Sequence, residues 1–411
     1  MSTLSMMRGR VRMTTVALAA AATALLPIAI NAPAAHADGP DVGTPTVVTL
    51  GDSYISGEAG RWAGSSNAST KYADALGSTA YYDNATRTGE VIKNCHRSAA
   101  SEAYIGGGVN GYNLACSGAE TSTYTDPLGN FKPGIDFYDN GFGKQGQAKM
   151  LQQFAATRNV DMVVLSIGGN DFNFASIVST CVTNFLSSSS LWPNYCNDDA
   201  SVKANFTSSN VAAVRARISA SLANIRTAMR NAGYADSQWT LLVQNYPSPV
   251  PSSTGFRYSQ SGYTRQSVGG CGLWNADANW ANSTALATIN ATVAGAVTDS
   301  GLSNVKTLNL TNAFNGRRLC EKTVGLYEEV GLTSWTQPGA VDATEWVNQI
   351  RTVSTAGTPY YIQESLHPNY WAQMATRSCV RQAYAGGTPR SGTCTIAGNG
   401  LVNGEPRMQL Q

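Results

Sequence analysis

The sequence predicts an α/β layer fold, with a mainly parallel five-stranded sheet, helices on both of its faces and large loop insertions. Two observations carry this. Short apolar runs alternate with longer stretches whose apolar residues recur at steps of three and four, the pattern of strands joined by crossover helices. No internal repeat and no Pro-rich linker interrupts residues 46–385, so one domain is expected. Right-handed crossovers would place the helices on both sides of the sheet.

In order, Thr46 to Leu50 reads as a buried strand closed by Gly51. Residues 56–112 are rich in Gly, Ser, Ala and Tyr without a sustained period and read as loops with short helices. Asn113 to Cys116 is a short strand candidate. Gln145 to Arg158 is helical, and Asp161 to Ile167 is a strong strand closed by Gly168 and Gly169. The clearest helix runs from Ser209 to Asn231, with Val211, Val214, Ile218, Leu222, Ile225 and Met229 on one stripe. Ser208 or Ser209 is expected to cap its start, and Gly233 its end. Trp239 to Gln244 is the next strand. A helix carrying Leu286, Ile289, Val293 and Val297 follows, then the strand Val305 to Leu310. Pro368 to Ala385 is the last expected helix, its proline in the first turn. The insertions are 56–112, 172–207, 247–279 and 316–362. The domain is expected to span 38–395, with 396–411 a loosely ordered C-terminal tail.

The N-terminus does not belong to this pattern. Arg8, Arg10 and Arg12 precede the apolar stretch Thr14 to Ile30, and Ala35-His36-Ala37 is a small-x-small site. Residues 1–37 therefore read as a secretory signal peptide cleaved after Ala37. Its 17 apolar-stretch residues are short for a membrane span of about 20, so no stable membrane anchor is expected. Loss of the three arginines takes the net charge from +2 to −1. The remaining chain lacks a basic block, which excludes nucleic acid as the main partner. Charged residues are 13% against about 25% on average. With 43% hydrophobic residues, 8 Trp, 18 Tyr and 10 Phe, the chain has the means to bury a core and is not disordered.

Eight cysteines, Cys95, Cys116, Cys181, Cys196, Cys271, Cys320, Cys379 and Cys394, all follow the leader. An even number in an exported chain predicts disulfides, with about 105 possible pairings, of which their order along the chain favours nearest neighbours. A metal role is disfavoured, because no C-x-x-C occurs and only His96 and His367 remain after cleavage.

Ligands of parallel sheets bind beyond the carboxyl ends of the strands. After the first strand stands Gly51-Asp52-Ser53-Tyr54. After the short strand candidate stands Cys116-Ser117-Gly118-Ala119, and after the next strand Gly168-Gly169-Asn170-Asp171. Glu364-Ser365-Leu366-His367-Pro368-Asn369 comes late. Each alone has an ordinary explanation: a turn, backbone clearance at Gly118, a cap by Asn170, a half-buried His367 ring. Their joint order after successive strands is specific.

With these residues, and with Ser56-Gly57-Glu58, Cys95-His96-Arg97-Ser98, Gly270-Cys271 and Gly316-Arg317-Arg318-Leu319-Cys320, the sequence resembles the SGNH hydrolases, the GDSL esterase and lipase family. It is close to the secreted actinobacterial branch, over about Val47 to Ala375. The resemblance implies a flavodoxin-like three-layer α/β/α fold and the pairings Cys95–Cys116, Cys181–Cys196 and Cys271–Cys320, which leaves Cys379 with Cys394. It implies Ser53 as nucleophile, His367 as base and later acid, and an oxyanion hole made of the Ser53 and Gly118 backbone N–H groups and the Asn170 amide. The family usually has Asp three residues before the histidine. Here that residue is Glu364, expected as the third triad member, with a backbone carbonyl holding the ring as the alternative. His96 is expected to fix a disulfide loop near the site.

The chemistry agrees. A serine hydroxyl needs an adjacent imidazole, and a tetrahedral intermediate needs preorganised donors. Gly-x-Ser-x-Gly and the P-loop signature are both absent. The expectation is a secreted, extracellular, monomeric hydrolase of carboxylic esters that needs no cofactor or metal. Its substrate is expected to be an acyl lipid, as for a lipase or phospholipase. A carbohydrate O-acetyl esterase is the alternative, separable by pocket shape. A non-catalytic binding protein is disfavoured by the presence of all four motif residues.

Overall fold

The computed structural model describes residues 38–352 and 359–411; the expected signal segment 1–37 lies outside the described residues. Nine strands occur among them: β1 Pro45–Gly51, β2 Asn110–Asn113, β3 Tyr124–Thr125, β4 Phe131–Lys132, β5 Asn159–Ser166, β6 Thr240–Gln244, β7 Val305–Asn309, β8 Gly392–Val402 and β9 Glu405–Leu410. Seven of them form one sheet in the order β2-β1-β5-β6-β7-β8-β9, and β3 and β4 make a separate small ribbon. Neighbours from β2 to β8 are parallel, and β9 is antiparallel to β8.

The first five parallel strands follow the doubly wound order 2-1-3-4-5. Their side chains alternate between two cores. Val48, Leu50, Val163, Leu165, Leu241 and Val243 face one side, where Ile218, Leu222 and Ile225 of the helix Ser208–Asn231 cover them. Val47, Met162, Val164, Leu242 and Leu308 face the other, covered by the helix Tyr370–Tyr384 through Trp371, Ala375 and Val380. Burial on both faces is why these strands read as continuous apolar runs.

Four expectations need correction. The sheet has seven strands rather than five, because residues 396–411 are not a loose tail. Asn403 and Gly404 both take positive φ, 53° and 80°, and make the two-residue turn that joins β8 to β9. Met408 and Leu410 enter the core, and Arg381 pairs with Glu405. The second strand is Asn110–Asn113 rather than 113–116. The chain beyond it still bonds to β1, with Leu114 N donating to Thr49 O and Cys116 N to Gly51 O. Thr207, not Ser208 or Ser209, caps the long helix, accepting from Asn210 N. Asn369, not Pro368, starts the last helix, accepting from Trp371 N and Ala372 N. The four disulfides are Cys95–Cys116, Cys181–Cys196, Cys271–Cys320 and Cys379–Cys394. No described helix is long and apolar enough to cross a membrane.

Candidate active site

Strand order reverses between β1 and β5, and the crevice of a doubly wound sheet opens at that point. The loops after these two strands carry Ser53 and Asn170. Gly51 ends β1 at φ 133°, and a Cβ there would lie 1.9 Å from the Ser166 carbonyl of β5. Only glycine lets the chain turn this close to its neighbour. The Gln147 side chain holds both polar groups of Gly51, at 2.7 and 2.8 Å. Asp52 then caps the one-turn helix Ser53–Ser56 by accepting from Tyr54 N. Its other oxygen accepts from the Tyr246 hydroxyl. Burial pushes the Asp52 carboxyl up to about 7.

Ser53 Oγ lies 2.6 Å from His367 Nε2. His367 Nδ1 lies 2.9 Å from the Ser365 carbonyl. A carbonyl accepts only, so Nδ1 carries the proton and Nε2 is left bare to accept from Ser53. The ring is buried beside Tyr54, whose hydroxyl donates to Leu366 O. Burial lowers the His367 pKa below its ordinary value, outweighing the opposite effects of the Glu58 charge and the Ser365 carbonyl. The imidazole is therefore neutral at neutral pH, the state a general base requires.

Asn170 opens the turn after β5 and shares the walls of one cleft with Ser53. One hydrogen of its amide goes to Ala119 O at 2.9 Å, which leaves the other for a ligand. Gly169 N donates to the Tyr246 hydroxyl at 2.9 Å. Tyr246 thus ties the residue before Ser53 to the residue before Asn170. Gly118 has φ 79°, a conformation costly for other residues. Its carbonyl is held by Tyr124. Among the described residues, neither the Gly118 nor the Ser53 N–H is taken by a backbone acceptor. Asp171 clamps the two loops together, accepting from Thr121 N and Oγ1 and from Arg217.

The structure does not bring the Glu364 carboxyl to His367. That carboxyl accepts from Tyr81 at 2.5 Å, Trp62 Nε1 at 2.8 Å and Tyr361 N at 3.0 Å, and the His367 Nδ1 site is occupied by Ser365 O. Nor does it face solvent: Glu364 is 1% exposed, and burial pushes its carboxyl up to about 7. The side chain leaves the backbone toward a pocket of donors from Trp62, Tyr81 and Tyr361. His96 lies against the Cys95–Cys116 disulfide loop, stacked on Tyr81 and bonded to Glu58. The sequence offered a backbone carbonyl as the alternative holder of the ring but could not name Ser365, because a backbone carbonyl leaves no residue signature. Sequence reasoning missed Tyr246 and Gln147, whose partners lie 194 and 96 residues away.

The cleft beside Ser53 is walled almost entirely by apolar groups. Phe174, Ile177 and Val178 come from the helix Phe174–Ser187, and Phe206, Trp280 and Leu286 from segments further along the chain. Much of this wall is built by the insertions 172–207 and 247–279.

No family model matches the sequence, and no curated protein matches it. Among solved structures, the chain is similar to an extracellular lipase from Streptomyces rimosus, with 20% identity, coverage of 80% of this chain and 95% of that one, and a TM-score of 0.40. It is also similar to phospholipase A1 from Streptomyces albidoflavus NA297, with 20% identity, coverage of 83% and 99%, and a TM-score of 0.42.

Proposed function

We propose that this chain is a secreted serine hydrolase of SGNH type that cleaves acyl esters through a Ser53–His367 dyad. The observation that carries the proposal is the 2.6 Å contact between Ser53 Oγ and the bare Nε2 of a buried, neutral His367 at the mouth of an apolar cleft. His367 takes the proton as Ser53 Oγ attacks the ester carbonyl carbon. The oxyanion forms against the N–H groups of Ser53 and Gly118 and the free amide hydrogen of Asn170. Charge develops there only in the transition state, so fixed donors accelerate the step. The protonated imidazole then gives its proton to the departing alcohol, leaving an acyl group on Ser53. Water attacks that acyl group as His367 takes its proton, and His367 returns the proton to Ser53 Oγ as the Oγ–carbon bond breaks and the carboxylic acid leaves. The Ser365 carbonyl keeps Nδ1–H in place throughout.

The apolar walls favour an acyl chain over an acetyl group, since a short polar cleft would suit an acetylated sugar. Export is supported by the leader-like segment 1–37 and by four disulfides. The test is a hydrolysis series of p-nitrophenyl acetate, octanoate and palmitate, phosphatidylcholine and acetylated xylan. Octanoate, palmitate or the phospholipid should exceed acetate in kcat/KM. Preference for acetate and acetylated xylan would replace the lipid assignment with the carbohydrate one.

A further inference from the structure

Behind His367 lies a second buried charge cluster that the ester mechanism leaves unused. Glu58, two residues past the helix Ser53–Ser56, has no exposed surface. Its oxygens lie 2.8 and 2.9 Å from His96 Nδ1. His96 Nε2 lies 3.6 Å from Glu90, and the ring is stacked on Tyr81 with centroids 4.3 Å apart. Gln363, four residues before His367, donates from Nε2 to Glu58 at 2.9 Å and to Ser117 Oγ at 2.8 Å. Ser117 precedes Gly118. The cluster therefore joins the three loops that carry the nucleophile, the oxyanion glycine and the base.

We propose that Glu58 and His96 form an opposed charge pair that positions His367 and sets its basicity, on the premise that His367 is the general base. Both are positioning residues, acting through Gln363 and through their fields. Burial pushes the Glu58 carboxyl up, but the His96 charge and hydrogen bond override it and hold Glu58 at about 2. Burial likewise disfavours the His96 cation, but Glu58, with Glu90 and Glu364, raises its pKa above the ordinary value. His367 is acted on by Glu58, which favours its protonation, and by His96, which opposes it. The other charged groups around the pair are Lys132, Glu90 and Glu364, with the Tyr81 and Tyr361 rings against His96.

The two partners consequently have opposite effects. Glu58→Gln removes the negative charge and should lower the His367 pKa. His96→Gln removes the positive charge and should raise it. Each shift should be on the order of half a pH unit or more. Three histidines, His36, His96 and His367, occur in the full chain, so selective ¹³C labelling and NMR titration read each ring directly. His96→Gln and His367→Gln assign the signals, and the acid limb of kcat/KM should move with the His367 ring. Glu58→Asp, which keeps the charge, should restore most of the shift. Loosening of a merely structural cluster would not give opposite signs. Shifts of the same sign, or none beyond about 0.2 unit, would overturn the charge pair. Failure of the hydrolase assignment looks different: opposite imidazole shifts in a chain that turns over no ester.

Discussion

Replacement of Glu364 by Gln separates a dyad from a triad, and the structure sets its size. Glu364 Oε2 accepts from Trp62 and Tyr361, while Oε1 accepts from Tyr81. A glutamine carbonyl at the first position keeps both bonds. Its amide at the second can donate to the Tyr81 hydroxyl, which reverses its role. The net loss should be about 1 kcal/mol or less, and kcat should stay within about threefold. In a triad, removing the carboxylate charge costs about 10⁴ in kcat. The pH dependence gives a second check. Burial raises the folded-state pKa of Glu364 to about 7, above its ordinary value of 4.5. The stability linked to this group is therefore fully present below pH 4.5 and lost as pH rises through 7, by about 3 kcal/mol at most. Glutamine does not titrate. Glu364→Gln should be slightly less stable than the native chain at pH 5 and more stable at pH 8. Thermal midpoints at both pH values and kcat at pH 7.5 decide the matter. A kcat loss of about 10³ or more with unchanged midpoints would return Glu364 to the His367 relay.

Ser53→Ala and His367→Ala should each abolish ester turnover with little change in thermal midpoint, and near-native activity in either would remove the dyad. In the native chain the acid limb of kcat/KM should lie below pH 6.5, because burial depresses the His367 pKa from that value; a limb well above it would mean a charged resting imidazole. Asn170→Ala deletes one oxyanion donor and should cost about 10²–10³ in kcat with a smaller change in KM, whereas an effect on KM alone would make Asn170 a binding residue. Val178→Trp fills the cleft from the helix Phe174–Ser187 and should lower kcat/KM for octanoate and palmitate at least about tenfold while acetate changes less. Equal losses across the series would place the acyl chain elsewhere.

The parallel sheet was legible because its strands are buried on both faces and stand out as apolar runs, Val47–Leu50 and Met162–Leu165 among them. The Ser53 and Asn170 turns were legible because a glycine must end β1 where it approaches Ser166 of β5, and Gly168 after β5 takes a positive φ. The β8–β9 hairpin was not, although Asn403-Gly404 is a strong turn signal. β8 is polar and largely unburied, with Gly398, Asn399 and Gly400 interrupting its pattern, and β9 is only six residues long. Glu364 was misplaced for a different reason. Spacing from His367 along the chain says nothing about which way a side chain leaves the backbone. The three donors that capture it come from Trp62, Tyr81 and Tyr361, two of them hundreds of residues away in sequence.

Three carboxyls buried around this site show how the fold distributes charge. Asp52, Glu58 and Glu364 are all nearly or fully inaccessible. Asp52 and Glu364 are pushed up to about 7, each with neutral hydroxyl, indole or amide donors as its hydrogen-bond partners. Glu58 is held at about 2. The difference is His96, whose charge and hydrogen bond lower the Glu58 carboxyl against burial, since neutral donors offset desolvation only in part. A Ser–His dyad oriented by a carbonyl gains a fixed tautomer but no counter-charge for the imidazolium it forms. The Ser365 carbonyl is a dipole, and the Glu364 carboxyl, half protonated near neutral pH, is turned away. Of the three, Glu58 is the carboxyl held low, with the His96 charge and hydrogen bond foremost among the effects that override its burial.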